Sequence, residues 1–261
     1  MGEDDIKGCR ALIVYVNGDS YAYMSDGKRY SEYLGDLLQC PSINAAISGS
    51  CNERIFRTAL RDLIRLKKEH ADIVAVISLS FTIRTEIWHR NPERQDKWKR
   101  SGDGDFISIK PTIQKNWIEK IKDSTAELLP IYKDYAVSWL TWYDVEAETT
   151  KLLQNILLFT TWCRSNNIRY VIISGALQQS INFSAPFVET FYDKVKSDPQ
   201  VLDIFNFSFT EWSNQQGFTP IDDYTQEIDG KTYIIGHQGE QAHQAFAQLL
   251  VDHIHPLSYN T

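Results

Sequence analysis

Cysteine, methionine and long apolar runs are all scarce in this chain. Four cysteines (Cys9, Cys40, Cys51 and Cys163) are scattered over 261 residues. They have neither the paired spacing of a metal site nor the density of a disulfide framework, so a reduced protein without structural zinc is expected. No stretch approaches the ~20 apolar residues of a membrane span. Positive charge is in deficit, with 27 Lys and Arg against 34 Asp and Glu and a net charge of −7. Without a basic excess to meet phosphates, nucleic acid is not an expected partner. The opening residues 1–7 are charged and lack an apolar h-region, so no secretion signal and a cytoplasmic location are expected. No P-loop, dinucleotide fingerprint or zinc motif occurs, so neither cofactor nor metal is called for. Nothing in the composition speaks to oligomeric state.

What is present is a core-forming chain, 43% hydrophobic, long enough for one sizeable α/β domain over residues 1–261. Strand-like and helix-like segments alternate, which argues for parallel βαβ units. The strands expected are 10–16, 43–47, 73–79 and 169–175, with a weak fifth around 201–205 or 232–235. Helices are expected over 29–39, 52–69, 146–166, 187–196 and 240–253. In the helix 52–69, Ile55, Phe56, Ala59, Leu63 and Leu66 recur on one side, while Arg57, Arg61, Arg65, Lys67 and Lys68 form a row read as a solvated face. With right-handed crossovers, this order fits a three-layer α/β/α, flavodoxin-like sheet ordered 2-1-3-4-5. Residues 84–145 break the rhythm. They are rich in Arg, Lys and Trp (Trp88, His89, Arg90, Arg94, Trp98, Lys99, Arg100, then Trp117, Trp139 and Trp142). This reads as an insertion after the third strand, a cap over the sheet edge, or equally a packing or oligomer contact.

Two segments carry chemistry. The apolar run 11–16 stops at Asn17-Gly18-Asp19-Ser20. A serine just beyond an early strand can face the carboxyl edge of the sheet, where open α/β sheets bind ligands. The amides of the following helix would then face a developing oxyanion. An ordinary turn with Asp19 or Ser20 as N-cap is the plainer reading. Near the other end, Tyr233-Ile234-Ile235-Gly236-His237 reads as a short strand and a turn, followed by a helix with Ala242, Phe246, Leu249 and Leu250 on one face. A histidine there can swing over the sheet edge to meet a nucleophile from the first strand.

Together these segments resemble the SGNH (GDSL-like) serine hydrolase family, over nearly the whole chain. Gly18-Asp19-Ser20 is similar to the family's first block, which implies Ser20 as nucleophile. The stretch 42–50 is similar to its second block, with Gly49 as an oxyanion glycine. Gly49-Ser50-Cys51-Asn52-Glu53-Arg54-Ile55 is similar to the Gly-x-Ser-Asn-x-Arg-Ile pattern of phage-encoded and related bacterial members. His237 matches the catalytic histidine, and Ala242-His243 the later Gly-His. Two positions depart from the pattern. Ile234 stands where the acid three before the histidine belongs, and no Asn follows the third strand, where Leu79-Ser80-Phe81-Thr82 stands.

The resemblance implies a Ser20–His237 dyad or triad. The oxyanion would be held by the Ser20 and Gly49 amides, with Asn52 first and Thr82 or Ser80 next as the side-chain donor. Asp222, Asp223 or Asp229 could orient the imidazole, with Glu240 instead capping the helix, or a backbone carbonyl could serve. His243 is expected to pack or cap rather than bind metal. The implied activity is ester hydrolysis, carboxylesterase- or lipase-like or a carbohydrate O-deacetylase, on a small-molecule or carbohydrate ester. The alternative is a catalytically decayed binding module that uses residues 84–145 as its surface.

Overall fold

The computed structural model describes residues 12–70, 72–88, 106–109, 130–176, 186–222, 225–228, 231–234 and 236–254. Its first half runs β1 (Ile13–Asn17), α1 (Ser20–Tyr23), α2 (Tyr30–Leu37), β2 (Ser42–Asn44), α3 (Asn52–Glu69) and β3 (Ile73–Leu79). Then come β4 (Thr85–Trp88), β5 (Phe106–Ile109), α4 (Pro130–Trp142), α5 (Val145–Ser165) and β6 (Arg169–Ser174). The chain continues with α6 (Pro186–Lys196), α7 (Phe209–Gln215), β7 (Thr225–Ile228), β8 (Lys231–Ile234) and α8 (Glu240–Ile254).

Burial on both faces explains the near-continuous apolar reading of the strands, as parallel sheets require. β2, β1, β3 and β6 form one parallel sheet in that order. Val201 adds an isolated parallel bridge to Ile172, a one-residue fifth position in the expected 2-1-3-4-5 order. Alternate side chains point to opposite layers. Ile13, Tyr15, Ile73, Ala75, Ile77, Tyr170 and Ile172 meet residues of α3, α5 and α6. Val14, Val16, Val74, Val76, Val171 and Ile173 meet α1, α2, α7 and α8. The result is a three-layer α/β/α domain of flavodoxin-like order.

Most helix and strand bounds fall within a residue or two of expectation. β1 begins at Ile13, and β2 stops at Asn44. Even so, Ala45 and Ile47 still donate to the Val16 and Gly18 carbonyls (2.8 and 3.1 Å), so 43–47 runs beside β1 throughout. Residues 231–234 are not the fifth strand, because β8 pairs antiparallel with β7 as a separate hairpin. The helix α7 lies outside the segments expected to be helical. It is held by Ser208, whose hydroxyl caps Glu211 N–H, and by Phe209 in the aromatic core.

Within the insertion, β4 and β5 pair as an antiparallel hairpin. Arg57 is not part of a solvated row; its guanidinium makes a two-point ion pair with Glu86 of β4 (2.9 and 2.7 Å). The return segment is tied to the loop after β3, with Trp139 Nε1 donating to Ile83 O (3.0 Å) and Thr82 Oγ1 3.0 Å from the Tyr143 hydroxyl. Of the basic, Trp-bearing stretch, His89, Arg90, Arg94, Trp98, Lys99 and Arg100 lie outside the described residues, as do Trp117, Asp223 and Asp229. Among the described residues no helix is long and apolar enough to cross a membrane.

Candidate active site

Ser20, Gly49, Asn52 and Thr82 all stand just beyond the carboxyl ends of β1, β2 and β3. β1 ends at Asn17, which is fully buried. Its amide nitrogen lies within hydrogen-bond distance of the Tyr15 hydroxyl, Ile55 O and Thr58 Oγ1, and its oxygen accepts from Gly18 N–H. That anchors the strand end to α3. The turn then presses against β3, where a Cβ on Gly18 would stand 2.7 Å from Ser78 Cβ. Only glycine fits there. Asp19 follows as the N-cap of α1, accepting from Tyr21 N–H (3.1 Å). Ser20 is therefore the first residue of a helical turn, 5% exposed, and its N–H has no intrahelical acceptor.

The loop after β2 folds under the same edge. Ser50 N–H donates to Ile47 O (3.1 Å), closing a turn whose third residue, Gly49, has φ 77°. Glycine enters that region without the Cβ clash other residues meet. Asn52 opens α3 and clamps the loop after β3. Its Nδ2 donates to Ser80 O and its Oδ1 accepts from Ser80 N–H, both at 2.8 Å. Asn52 thus spends its carbonyl and one of its two amide hydrogens on Ser80, leaving one hydrogen for a ligand. Thr82 shares its hydroxyl with Tyr143.

His237 arrives from the far end of the chain. Gly236 lets the backbone pass close to the 220–222 loop, where a Cβ would collide with Asp222 O and Pro220. The two segments are stitched by a Pro220–Gln238 bridge and by Ile221 N–H to His237 O (2.8 Å). Asp222 then makes two bonds to one residue. Its Oδ1 accepts from His237 N–H and its Oδ2 meets His237 Nδ1, both at 2.5 Å. A carboxylate only accepts, so Nδ1 carries the hydrogen, which in the neutral ring leaves the lone pair on Nε2. The imidazole lies 5.3 Å from the ring of Tyr21, the residue after Ser20. Among the described residues, the carboxylate that meets the imidazole is Asp222, fifteen positions upstream of the histidine. Glu240 serves elsewhere, accepting from Lys28 N–H and the Tyr33 hydroxyl, which hold its carboxyl below its usual range.

His243 is structural. It is fully buried, accepts from Tyr30 N–H at Nδ1 (3.2 Å) and donates from Nε2 to Met24 O (2.9 Å). Its ring stacks on Tyr30. Burial pushes its pKa down to about 4. No group of three or more metal-ligating side chains occurs among the described residues.

No protein-family model and no curated protein matches this chain. Among solved structures, it is similar to a Desulfitobacterium hafniense protein assigned to the lipolytic G-D-S-L family. That likeness has 10% identity and TM-score 0.40, covering 92% of this chain and 98% of the other. It is also similar to an acetyl xylan esterase from the rumen bacterium Butyrivibrio proteoclasticus. There the identity is 12% and the TM-score 0.42, covering 97% of this chain and 66% of the esterase. Likenesses of this size identify no shared chemistry, so the case for function rests on the residues themselves.

Proposed function

We propose that this protein is a serine hydrolase acting on esters, with Ser20 as nucleophile, His237 as general base and Asp222 as the group that orients the imidazole. The observation that carries this reading is the two-point hold of Asp222 on His237, beside the turn that bears Ser20. A serine hydroxyl is a weak nucleophile until a base removes its proton, and an imidazole with Nε2 free suits that task near neutral pH. Ser20 Oγ would attack the ester carbon while His237 Nε2 takes its proton and returns it to the leaving alcohol. The carboxylate would stabilise the imidazolium so formed. Water would then release the acyl group by the same route. The oxyanion would sit against the Ser20 and Gly49 N–H groups, with the remaining Asn52 hydrogen as the side-chain donor and Thr82 as the lesser choice.

Residues 84–145 would cap the edge and shape a small-molecule or acylated carbohydrate site. The Thr82–Tyr143 and Ile83–Trp139 contacts support this placement. A decayed binding module is the weaker reading, because an acid partner for the histidine is in place. The test is labelling by a fluorophosphonate probe together with hydrolysis of p-nitrophenyl acetate. Wild type should react, while Ser20→Ala and His237→Ala should not. Failure of the folded wild type to do either would overturn the assignment.

A further inference from the structure

A second charged pair, Asp19 with Arg84, lies against the same edge and takes no part in the proposed proton transfers. Asp19 is fully buried. Capping α1 engages only its Oδ1. Its Oδ2 accepts from the Ser80 hydroxyl (2.9 Å) and from Arg84 Nη1 (2.8 Å). Arg84 Nη1 also donates to Ser80 Oγ (2.8 Å), and the guanidinium lies over the Phe81 ring at 4.8 Å. The Arg84 side chain is 16% exposed. An N-cap has no need of a buried arginine; Asn would cap as well without any charge to neutralise.

The charges around His237 suggest what the pair does. From the 220–222 loop comes Asp222, bonded to the ring. From the turn after β1 comes Asp19, bonded to the N–H of Tyr21, whose ring lies 5.3 Å from the imidazole; burial pushes the Asp19 pKa up, and Arg84 favours its ionised form. From the loop after β3 comes Arg84 itself. The phenol of Tyr30 behind Asp19 is kept neutral by burial, and the Tyr21 ring is uncharged at neutral pH. Asp26 and Glu240 are engaged at the start of α8, with Glu240 N–H, Lys28 N–H and the Tyr33 hydroxyl. Two anions beside one imidazole would favour the imidazolium, which cannot act as a base.

We propose that Arg84 is a positioning residue for the hydrolase reaction: by cancelling the charge of Asp19, it leaves Asp222, among the described residues, as the uncompensated anion acting on His237. This inference rests on the reading of His237 as the general base. The isosteric Asp19→Asn variant keeps the cap and leaves Arg84 uncompensated. A net positive charge on the turn beside the ring disfavours the imidazolium and should shift its protonation midpoint downward. Adding Arg84→Met removes that charge and should return the midpoint toward wild type.

The readout is the His237 imidazole resonance against pH, assigned by its loss in His237→Gln, and it requires no hydrolysis. The acid limb of kcat/KM for p-nitrophenyl acetate should move the same way in each variant. A merely structural role would make the double variant worse than the single, not restore it. An Asp19→Asn midpoint equal to wild type would overturn the proposal, as would a double variant that stays with the single. A protein that hydrolyses nothing, yet shows the shift and its reversal, would overturn the function and leave the charge coupling standing.

Discussion

Acid should loosen this protein through one buried side chain, His243. In the unfolded chain its ring titrates at 6.5, and in the folded protein at about 4, because burial penalises the imidazolium. The folded state binds the proton less tightly, so the neutral ring's contribution is complete above pH 6.5 and is lost as pH falls toward 4. Each unit of difference is worth about 1.36 kcal/mol, so the limiting loss is about 3 kcal/mol, of which about 2 kcal/mol is gone by pH 5. Structurally, protonation removes the acceptor for Tyr30 N–H at the start of α2 and puts a charge among Tyr30 and Phe209. The assay is urea unfolding at pH 7.5 and pH 5, followed by tryptophan fluorescence, for wild type and His243→Gln. The variant should be less stable at pH 7.5. Its own loss between the two pH values should be smaller than that of wild type by about 2 kcal/mol, since carboxylate effects are common to both proteins. Equal pH losses would refute the reasoning.

Asp222→Asn should keep the fold and lower kcat/KM for p-nitrophenyl acetate by roughly 10³–10⁴-fold, because an amide no longer dictates the tautomer or balances the imidazolium; steady-state rates check this. Gly49→Ala places a Cβ at φ 77° and should cost about 1–2 kcal/mol in urea unfolding, with a loss of rate beyond what stability explains. Phe246→Ala empties the centre of the ring cluster formed with Tyr30, Phe207, Phe209 and Trp212, and should cost about 3–5 kcal/mol. Thermal unfolding measures it.

Local pattern made the layers legible. The helix 52–69 could be bounded to the residue because its apolar stripe and its first-turn Glu53 are written in adjacent positions. β3 could be bounded because seven successive residues are buried on a doubly covered sheet. Ser20 and His237 could be singled out because a strand stops abruptly before each. The carboxylate that meets the imidazole could not be found in the same way. Three aspartates precede His237, and the choice among them depends on how the 220–222 loop lies against Gly236, a contact between backbones. Arg57, written into a basic row, meets Glu86 only because β4 crosses the start of α3.

The sequence alone settled the order of the four parallel strands and of the long helices between them, since hydrophobic period and turn residues act over a few positions at a time. Tertiary structure decided which distant side chains meet. Asp222 took the imidazole, Arg84 took Asp19, and the amide of Asn52 was largely committed to Ser80. Those pairings follow from loop paths across the sheet edge, where burial forces each polar group to find a partner and no local pattern names which one.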